Sequence, residues 1–308
     1  MDNLEKRTEQ KDGRLWHLEI EVGESPYWDH TSNSLFFIDI RAPSLNQVSG
    51  DGQIMNRWPL PEPVGAFALL QHGNHAVIGL KNGLALLDLT TCDLTRLVNP
   101  EPDLPTNRIN EGKVSPCGNW FLFGTMDESG DHRPTGAFYA LSGTGALHQI
   151  ADGLVIANGL AWSLDGSKLY FSDSWSSIIW AADWNAETGI LNRKQVFVRP
   201  DATQGMPDGA AMDREGNYWS AAVSTGRLNC FAPSGALVDW LQLPMQAPTM
   251  PAIGGRDNQT LFVTSHRRIT TPRTSDGAIF VRQSPAMGVN IPCFSAAPDV
   301  LIKALCDF

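Results

Sequence analysis

A segment with the same pattern occurs six times along the chain, and this repeat limits the possible folds more than any other feature. The clearest copy, NGLAWSLDGSKLYFSDS, runs from Asn158 to Ser174 and contains a short strand, a turn at Asp165-Gly166 and a second apolar strand. Successive copies start 40 to 50 residues apart. This spacing is typical of the four-stranded blades of β-propellers. The first residues of the six copies are Glu24, Val64, Asn110, Asn158, Asp208 and Met250.

Each copy has a polar or glycine-containing turn followed by a β-rich apolar run, whereas amphipathic helical periodicity is scarce. The chain is therefore predicted to be all-β, a six-bladed β-propeller with four-stranded antiparallel blades spanning residues 13–282. The strand-like segment Leu15–Glu21 is expected to join the blade formed by Met250–Val281 and so close the ring. Residues 1–12 and 283–308 are predicted to be terminal tails. Four tryptophans in repeated positions are expected to pack between blades: Trp28, Trp120, Trp162 and Trp219.

Charge and composition restrict the partners and the cellular location. The formal net charge of −10 argues against a nucleic-acid or anionic-membrane partner, since both need a basic surface. The polar N-terminus does not resemble a signal peptide, and no apolar run approaches the roughly 18 to 20 residues of a membrane span. The five cysteines are widely spaced and are predicted to be free thiols in the cytoplasm. We expect a monomer or a weak homo-oligomer.

The repeat alignment also locates a candidate site. The first strand of each propeller blade lines the central channel, so equivalent residues form a ring around the axis. Four of the six ring residues carry a side-chain oxygen: Glu24, Asn110, Asn158 and Asp208. Each alone could cap a strand end, but together they form the oxygen-rich environment that hard divalent cations prefer. The sequence therefore predicts one divalent cation in the channel, with Ca²⁺, Zn²⁺, Mg²⁺, Mn²⁺ and Fe²⁺ all left open.

Other catalytic sites lack their sequence signatures. The chain contains no GxSxG, Walker A, GxGxxG or HExxH motif, and none of its histidines occupies a ring position. His132 lies in an acidic loop, DESGDHRP, which could overhang the channel or simply be solvated.

Four segments carry a resemblance to a known family: GESPYWD, NRINEGKVSPCGNWFLFGTM, NGLAWSLDGSKLYFSDS and MPDGAAMDREGNYW. They resemble the SMP-30/gluconolactonase family, also called regucalcin-like, over about residues 21–280. The resemblance implies a six-bladed propeller with Glu24, Asn158 and Asp208 as metal ligands. It also implies substrate contacts by Arg108 and Asn110.

This chain departs from the family pattern at two positions near the site. Glu111 stands where the family usually has aspartate, so a substrate contact there could differ by one methylene group. Pro251 stands where many relatives have a small residue or cysteine. An acidic residue after GTM is implied to touch sugar hydroxyls. Glu128 is the candidate we adopt, with Asp127 open as the alternative.

The implied reaction is hydrolysis of a sugar lactone, of the gluconolactone, L-arabinonolactone or galactonolactone type, to the aldonic acid. A divalent cation would polarise the lactone carbonyl, and Asp208 could be the general base for water. Two other functions stay open. One is a non-catalytic calcium-binding or regulatory propeller, and the other is an arylesterase-like metal hydrolase.

Overall fold

The computed structural model describes residues 13–267 and 273–306, and the predicted N-terminal tail of residues 1–12 lies outside them. Within these residues, 24 strands form six antiparallel sheets of four strands each. The sheets are the six blades of a β-propeller, which confirms the predicted fold class.

The first three complete blades follow one another along the chain, after an initial short strand, β1 (Arg14–Trp16). Blade 1 comprises β2 (Gly23–Asp29), β3 (Ser34–Asp39), β4 (Ser44–Ser49) and β5 (Ile54–Pro59). Blade 2 comprises β6 (Val64–Leu69), β7 (His75–Leu80), β8 (Gly83–Asp88) and β9 (Leu94–Val98). Blade 3 comprises β10 (Asn107–Val114), β11 (Trp120–Asp127), β12 (Gly136–Ser142) and β13 (Leu147–Leu154).

The remaining blades include the one that closes the ring. Blade 4 comprises β14 (Ala157–Trp162), β15 (Lys168–Asp173), β16 (Ile178–Asn185) and β17 (Ile190–Val198). Blade 5 comprises β18 (Pro207–Met212), β19 (Tyr218–Ala222), β20 (Arg227–Phe231) and β21 (Leu237–Gln242). Blade 6 contains β22 (Pro248–Gly254), β23 (Thr260–Ser265) and β24 (Ile279–Gln283), and its fourth strand is β1.

Pairing of β1 with β24 joins the two ends of the chain in one sheet, with Leu15 opposite Phe280. The predicted closure by the N-terminal segment is therefore confirmed. The strand is shorter than the sequence indicated, because it ends at Trp16 and residues 17–21 continue toward blade 1 without strand pairing.

Apolar side chains fill the space between neighbouring blades. The six core clusters of the described residues each bridge one pair of neighbouring blades. Trp28 of blade 1, for example, stacks on Phe262 of blade 6 with ring centroids 5.5 Å apart. Trp120 and Trp162 pack between blades 3 and 4, and Trp219 packs between blades 5 and 6. These contacts confirm that the repeated tryptophans pack between blades.

The segment after β24, predicted as a C-terminal tail, crosses the end of the channel where the innermost strands finish. Met287 accepts a backbone hydrogen bond from Arg214 of blade 5 at 2.9 Å. Phe294 donates its backbone N–H to Leu69 of blade 2 at 2.8 Å. The helix α1 (Pro298–Leu305) then buries Leu301 and Leu305 in the cluster between blades 2 and 3. We call residues 284–305 the C-terminal strap.

Two further observations bear on the expected environment of the protein. All five cysteines are free thiols, as predicted: Cys92, Cys117, Cys230, Cys293 and Cys306. In the described part of the chain, no helix combines the length and the apolar character that crossing a membrane requires.

Candidate active site

The innermost strand of every blade is irregular beside its ring residue. The strand registers shift between Glu24/Tyr27, Val64/Ala66, Ile109/Glu111, Asn158/Ala161, Pro207/Ala210 and Pro248/Pro251. A bulge bends the strand and redirects a side chain that would otherwise follow the regular alternation. The sixfold irregularity therefore gives the ring residues an orientation that a regular strand would not provide. We call this end of the channel, where the innermost strands begin, the mouth.

Small residues next to the ring allow the blades to approach each other at the axis. A Cβ atom on Gly65 would lie only 2.0 Å from the backbone oxygen of Ile109 in blade 3. Gly159, which follows Asn158, has a φ of +73°, a conformation that glycine adopts at little cost. Substitution at either position would displace the backbone that carries a ring residue.

Three carboxylates lie close enough in the channel to influence one another. Burial raises the pKa of Glu24 well above its usual range, and repulsion by Asp208 and Glu111 raises it further. The pKa of Asp208 is likewise raised well above its usual range, by burial and then by the charge of Glu111. Neighbouring carboxylates of this kind favour a bound cation, because a positive charge between them removes the repulsion.

Lys113 is the ammonium group that accompanies these carboxylates. It is buried, and its Nζ donates to the backbone oxygen of Ala210 in blade 5. Burial lowers the pKa of Lys113 to about 8, against the attraction of Glu111 and Glu24. One ammonium group against three carboxylates leaves this part of the channel two charges negative when all four groups are ionised.

Both ring asparagines donate through their amide nitrogens, and the bond from Asn110 links blade 3 to blade 4. Asn158 donates its amide nitrogen to the Ser174 hydroxyl at 2.8 Å, which leaves the Oδ1 end of the amide for another partner. Asn110 donates to the backbone oxygen of Ala157 at 3.1 Å, directly before Asn158. The Asn158 amide is thus held by its nitrogen, as an oxygen ligand of a cation requires.

Glu111 also faces blade 4. Its Oε1 accepts the backbone N–H of Leu160 at 3.0 Å, while Oε2 is buried and has no hydrogen-bond partner among the described residues. Burial raises the pKa of Glu111 to about 7, although Lys113 and the backbone N–H groups of Leu160 and Gly159 lower it. The predicted contact of Glu111 with substrate stays a prediction, and the unpartnered Oε2 is the atom available for it.

The donor set fits a hard divalent cation. Glu24, Asn158 and Asp208 could offer side-chain oxygen atoms to the ion, and a bound cation would remove the repulsion between the two carboxylates. No group of three or more His, Cys, Asp or Glu side chains in residues 13–267 and 273–306 is arranged to hold an ion. The predicted set contains only two such residues, because its third member is an amide.

Arg108 and Glu128 form an ion pair at the mouth, with Nε and Oε1 3.0 Å apart. The guanidinium also donates to the backbone oxygen of Ile109 at 3.0 Å, and its charge acts on Glu24 and Asp208. Although partial burial raises the pKa of Glu128, the charges of Arg108, Arg41 and Lys81 hold it below its usual range.

Asp127, the alternative to Glu128, is engaged in its own loop. Its carboxylate pairs with Arg133 at 2.9 Å and accepts the Ser129 hydroxyl at 2.5 Å. Those hydrogen bonds, above all the one from Arg133, hold the pKa of Asp127 well below its usual range. In the same loop His132 stacks on Trp175 of blade 4, with ring centroids 3.5 Å apart. These contacts favour Glu128 as the acidic residue that faces the mouth.

The sequence analysis missed Lys113, Arg41 and Lys81, although the sequence contained a signal for each. Lys113 follows Glu111 by two residues in β10, and alternate residues of a strand share a face. Arg41 and Lys81 each fall 17 residues after the first residue of their repeat, at equivalent blade positions. Comparing repeat positions beyond the first would therefore have identified a second ring of residues around the mouth.

A cavity of about 80 Å³ lies at the opposite end of the channel, beneath the C-terminal strap. Aromatic and aliphatic side chains such as Trp28, Trp162 and Ile253 line it, together with Val289 and Ile291 of the strap. Lys113 borders this cavity, but none of the predicted site residues does, so those residues belong to the mouth.

Comparison with known proteins agrees with the fold and with the resemblance of the motifs. Residues 22–267 match the family described as "SMP-30/Gluconolactonase/LRE-like region". An L-arabinolactonase of Azospirillum brasilense is 33% identical, over 90% of this chain and 93% of the relative. A 6-deoxy-6-sulfogluconolactonase of Pseudomonas putida is 33% identical, over 80% and 84%. The crystal structure of a calcium-binding regucalcin from Agrobacterium tumefaciens has a TM-score of 0.83 and 26% identity, over 89% of this chain and 94% of that one.

Proposed function

The chain belongs to the SMP-30/gluconolactonase/LRE-like family, and we propose that it is a metal-dependent lactonase that hydrolyses a sugar lactone to the aldonic acid. The observation that supports this proposal is that Glu24, Arg108 and Asp208 lie near the starts of three innermost strands and interact electrostatically with one another. That arrangement combines a cation site with a hydrogen-bond donor for the oxygens of a sugar. Relatives are named for different sugar lactones, so the family alone does not select one.

Glu24, Asn158 and Asp208 would hold one divalent cation. A bound divalent cation polarises a lactone carbonyl and stabilises the negative charge that develops on its oxygen. Arg108 and Asn110 would hold hydroxyl or ring oxygens of the sugar, since a guanidinium and an amide both supply directed donors. Glu128 would accept a sugar hydroxyl while it also fixes the orientation of the Arg108 side chain.

Asp208 is the proposed general base. In the hydrolysis, the oxygen of water forms a bond to the carbonyl carbon and its proton passes to the Asp208 carboxylate. The bond between that carbon and the ring oxygen then breaks, and the departing oxygen takes up a proton to become a hydroxyl group. Asp208 is partly exposed, unlike the buried Glu24, so water can reach it. General-base catalysis of this kind contributes roughly 10² to 10⁴ in rate.

The polar residues of the mouth favour a polyhydroxylated substrate over an apolar aryl ester. Arg108, Asn110 and Glu128 are all hydrogen-bonding residues, whereas the apolar cavity lies at the other end of the channel. A non-catalytic calcium-binding propeller is the second candidate, because the regucalcin of Agrobacterium tumefaciens, which has a similar fold, is a calcium-binding protein.

The direct test is a panel of neutral aldonolactones and phenyl acetate, assayed with a pH indicator on metal-stripped protein with each divalent cation added back. We expect hydrolysis of at least one lactone only when a cation is present, and no comparable activity on phenyl acetate. Hydrolysis of phenyl acetate alone would favour an arylesterase. Cation binding without either activity would favour the non-catalytic candidate.

A further inference from the structure

Four charged side chains from three blades meet at the mouth. Arg41 follows β3 in blade 1, Lys81 follows β7 in blade 2, and Arg108 and Glu128 belong to blade 3. The Glu128 carboxylate is the shared partner, at 2.7 Å from Arg41, 3.6 Å from Lys81 and 3.0 Å from Arg108. We call these four residues the mouth cluster.

The mouth cluster carries more positive charge than its own carboxylate balances. Three cationic groups surround one carboxylate, so the cluster has a net charge of +2 when all four groups are ionised. In the described part of the chain, Arg41 and Lys81 pair with no other carboxylate. Two neighbouring acidic side chains pair elsewhere, Asp127 with Arg133 and Glu62 with Arg96. The Asp39 carboxylate accepts the backbone N–H of Arg41 at 3.1 Å.

Exposure within the cluster shows where the excess charge is available. The side chains of Arg41 and Lys81 are 51% and 34% exposed, whereas those of Glu128 and Arg108 are 18% and 9% exposed. The carboxylate therefore lies beneath the two outer cations, which face the solvent at the mouth. Arg41 of blade 1 and Lys81 of blade 2 both share the single carboxylate of Glu128 with Arg108, and the charge of Arg41 repels that of Arg108.

Taking the proposed lactonase function as given, we propose that Arg41 and Lys81 bind a negatively charged group of the substrate. The substrate class is then an aldonolactone with a phosphate, sulfonate or carboxylate at the end remote from the lactone carbonyl. A guanidinium offers two parallel donors to such a group, and an ammonium adds a compact charge. Arg108 pairs with Glu128 in this cluster and its charge also acts on Glu24 and Asp208, so the cluster adjoins the proposed site.

The two outer cations are separate from the carboxylates of the channel. Arg41 is exposed and Lys81 partly exposed at the mouth, whereas Glu24 and Glu111 are buried. A neutral sugar would leave the two outer cations with Glu128 and solvent as their partners, so it gains no charge-assisted contact from them.

The experiment compares kcat/KM for D-glucono-1,5-lactone with that for three anionic lactones on the metal-loaded protein. The anionic probes carry a 6-phosphate, a 6-sulfonate or a 6-carboxylate, so their relative rates identify which group is preferred. We expect at least one anionic lactone to be preferred by about tenfold or more, as one charge-assisted contact can provide. Added salt should reduce that preference, because the outer cations are exposed.

Single substitutions test whether the preference for anionic lactones depends on Arg41 and Lys81. Arg41→Gln and Lys81→Gln should each lower the anionic-to-neutral ratio of kcat/KM by about tenfold. Arg96→Gln is the matched control, since Arg96 is also 51% exposed and also pairs with a glutamate, outside the mouth cluster. It should leave the ratio unchanged. Thermal unfolding of each variant shows that the exposed substitutions have not altered the fold.

The outcomes separate this inference from the proposed lactonase function. Hydrolysis of the neutral lactone at least as fast as every anionic one overturns the inference and leaves the lactonase function standing. If no lactone is hydrolysed, the affinities for 6-phosphogluconate and gluconate, measured by calorimetry, test whether the mouth cluster recognises an anionic group. A tenfold preference for 6-phosphogluconate that is lost in Arg41→Gln supports anion recognition, and equal affinities overturn it.

Discussion

The Glu111 carboxylate of blade 3 accepts a hydrogen bond from the backbone N–H of Leu160 in blade 4, at 3.0 Å. Leu160 lies two residues after Asn158, so the contact holds the strand segment that carries a proposed metal ligand. Backbone N–H groups in an irregular strand lack their ladder partners, and a buried carboxylate satisfies them. Glu111 is thus placed to fix the position of Asn158 from the neighbouring blade.

Glu111→Ala is expected to lower the affinity for the activating cation by roughly 10- to 100-fold, the usual effect of removing a residue that orients a ligand. Glu111→Gln retains an oxygen acceptor for the Leu160 amide and should lose less affinity. Isothermal titration of metal-stripped protein with Ca²⁺ or Mn²⁺ measures both. Equal affinities of Glu111→Ala and the unmodified protein would show that Asn158 is held without this contact.

Alanine at Glu24, Asn158 or Asp208 should lower the metal content and remove the stabilisation that added cation provides. A ligand at 100 times its Kd stabilises the native state by about 2.7 kcal/mol. The melting temperature of the unmodified protein should therefore rise with added cation, and that of each variant should rise less. Elemental analysis after dialysis checks the metal content. A variant that keeps its full metal content would exclude that residue as a ligand.

Arg108→Ala should raise the KM for a sugar lactone while leaving the metal content nearly unchanged. The guanidinium cannot be a cation ligand, but it pairs with Glu128 beside the proposed site, where it could hold a sugar oxygen. Loss of one charge-assisted hydrogen bond corresponds to a roughly tenfold or larger rise in KM. Steady-state kinetics with excess metal provide the measurement. Unchanged kinetics would restrict Arg108 to a purely structural ion pair.

Asp208→Asn separates the two roles proposed for this residue. Asparagine keeps one oxygen for the cation, as Asn158 does, but it cannot accept a proton from water. We expect a moderate loss of metal affinity and a fall in kcat of roughly 10² to 10⁴ at saturating metal. Initial rates, corrected for spontaneous lactone hydrolysis, provide the measurement.

Glu24→Gln is the matched control for that experiment. It removes one negative charge from the same group of carboxylates, but Glu24 has no proposed role as a base. Its kcat should recover when the cation is in excess. If Asp208→Asn recovers to the same degree, Asp208 is a ligand only, and the general base must be another group, with Glu111 the next candidate.

Leu301→Ala should destabilise the fold by about 2 to 5 kcal/mol, as expected for truncating a fully buried leucine. Leu301 is completely buried between blades 2 and 3, whereas its neighbour Ile302 is 37% exposed. Ile302→Ala is therefore the control, with an expected effect within about 0.5 kcal/mol of zero. Urea unfolding measures both. Equal unfolding midpoints for the two variants would show that the C-terminal strap does not contribute to the core.

The sequence was sufficient for the fold because the information is repeated. Six copies at a nearly constant period specify six blades, and each blade buries its apolar faces against neighbours that carry the same pattern. The ring of candidate ligands followed from the same alignment, since equivalent residues of a closed ring share one distance from the axis. Closure by β1 was predictable as well, because one strand-like segment, Leu15–Glu21, precedes the first repeat.

Only the tertiary structure decided the features that join different blades. Glu128 meets Arg41 and Lys81 across three blades, and Glu111 meets the backbone beyond Asn158. No local pattern encodes such contacts, because they depend on how bulged strands turn side chains toward the axis. The C-terminal strap lies outside the six repeats, so the repeat alignment could not predict where its apolar residues pack. The repeat determines the strands of each blade, whereas the polar contacts between blades depend on the geometry of the closed ring.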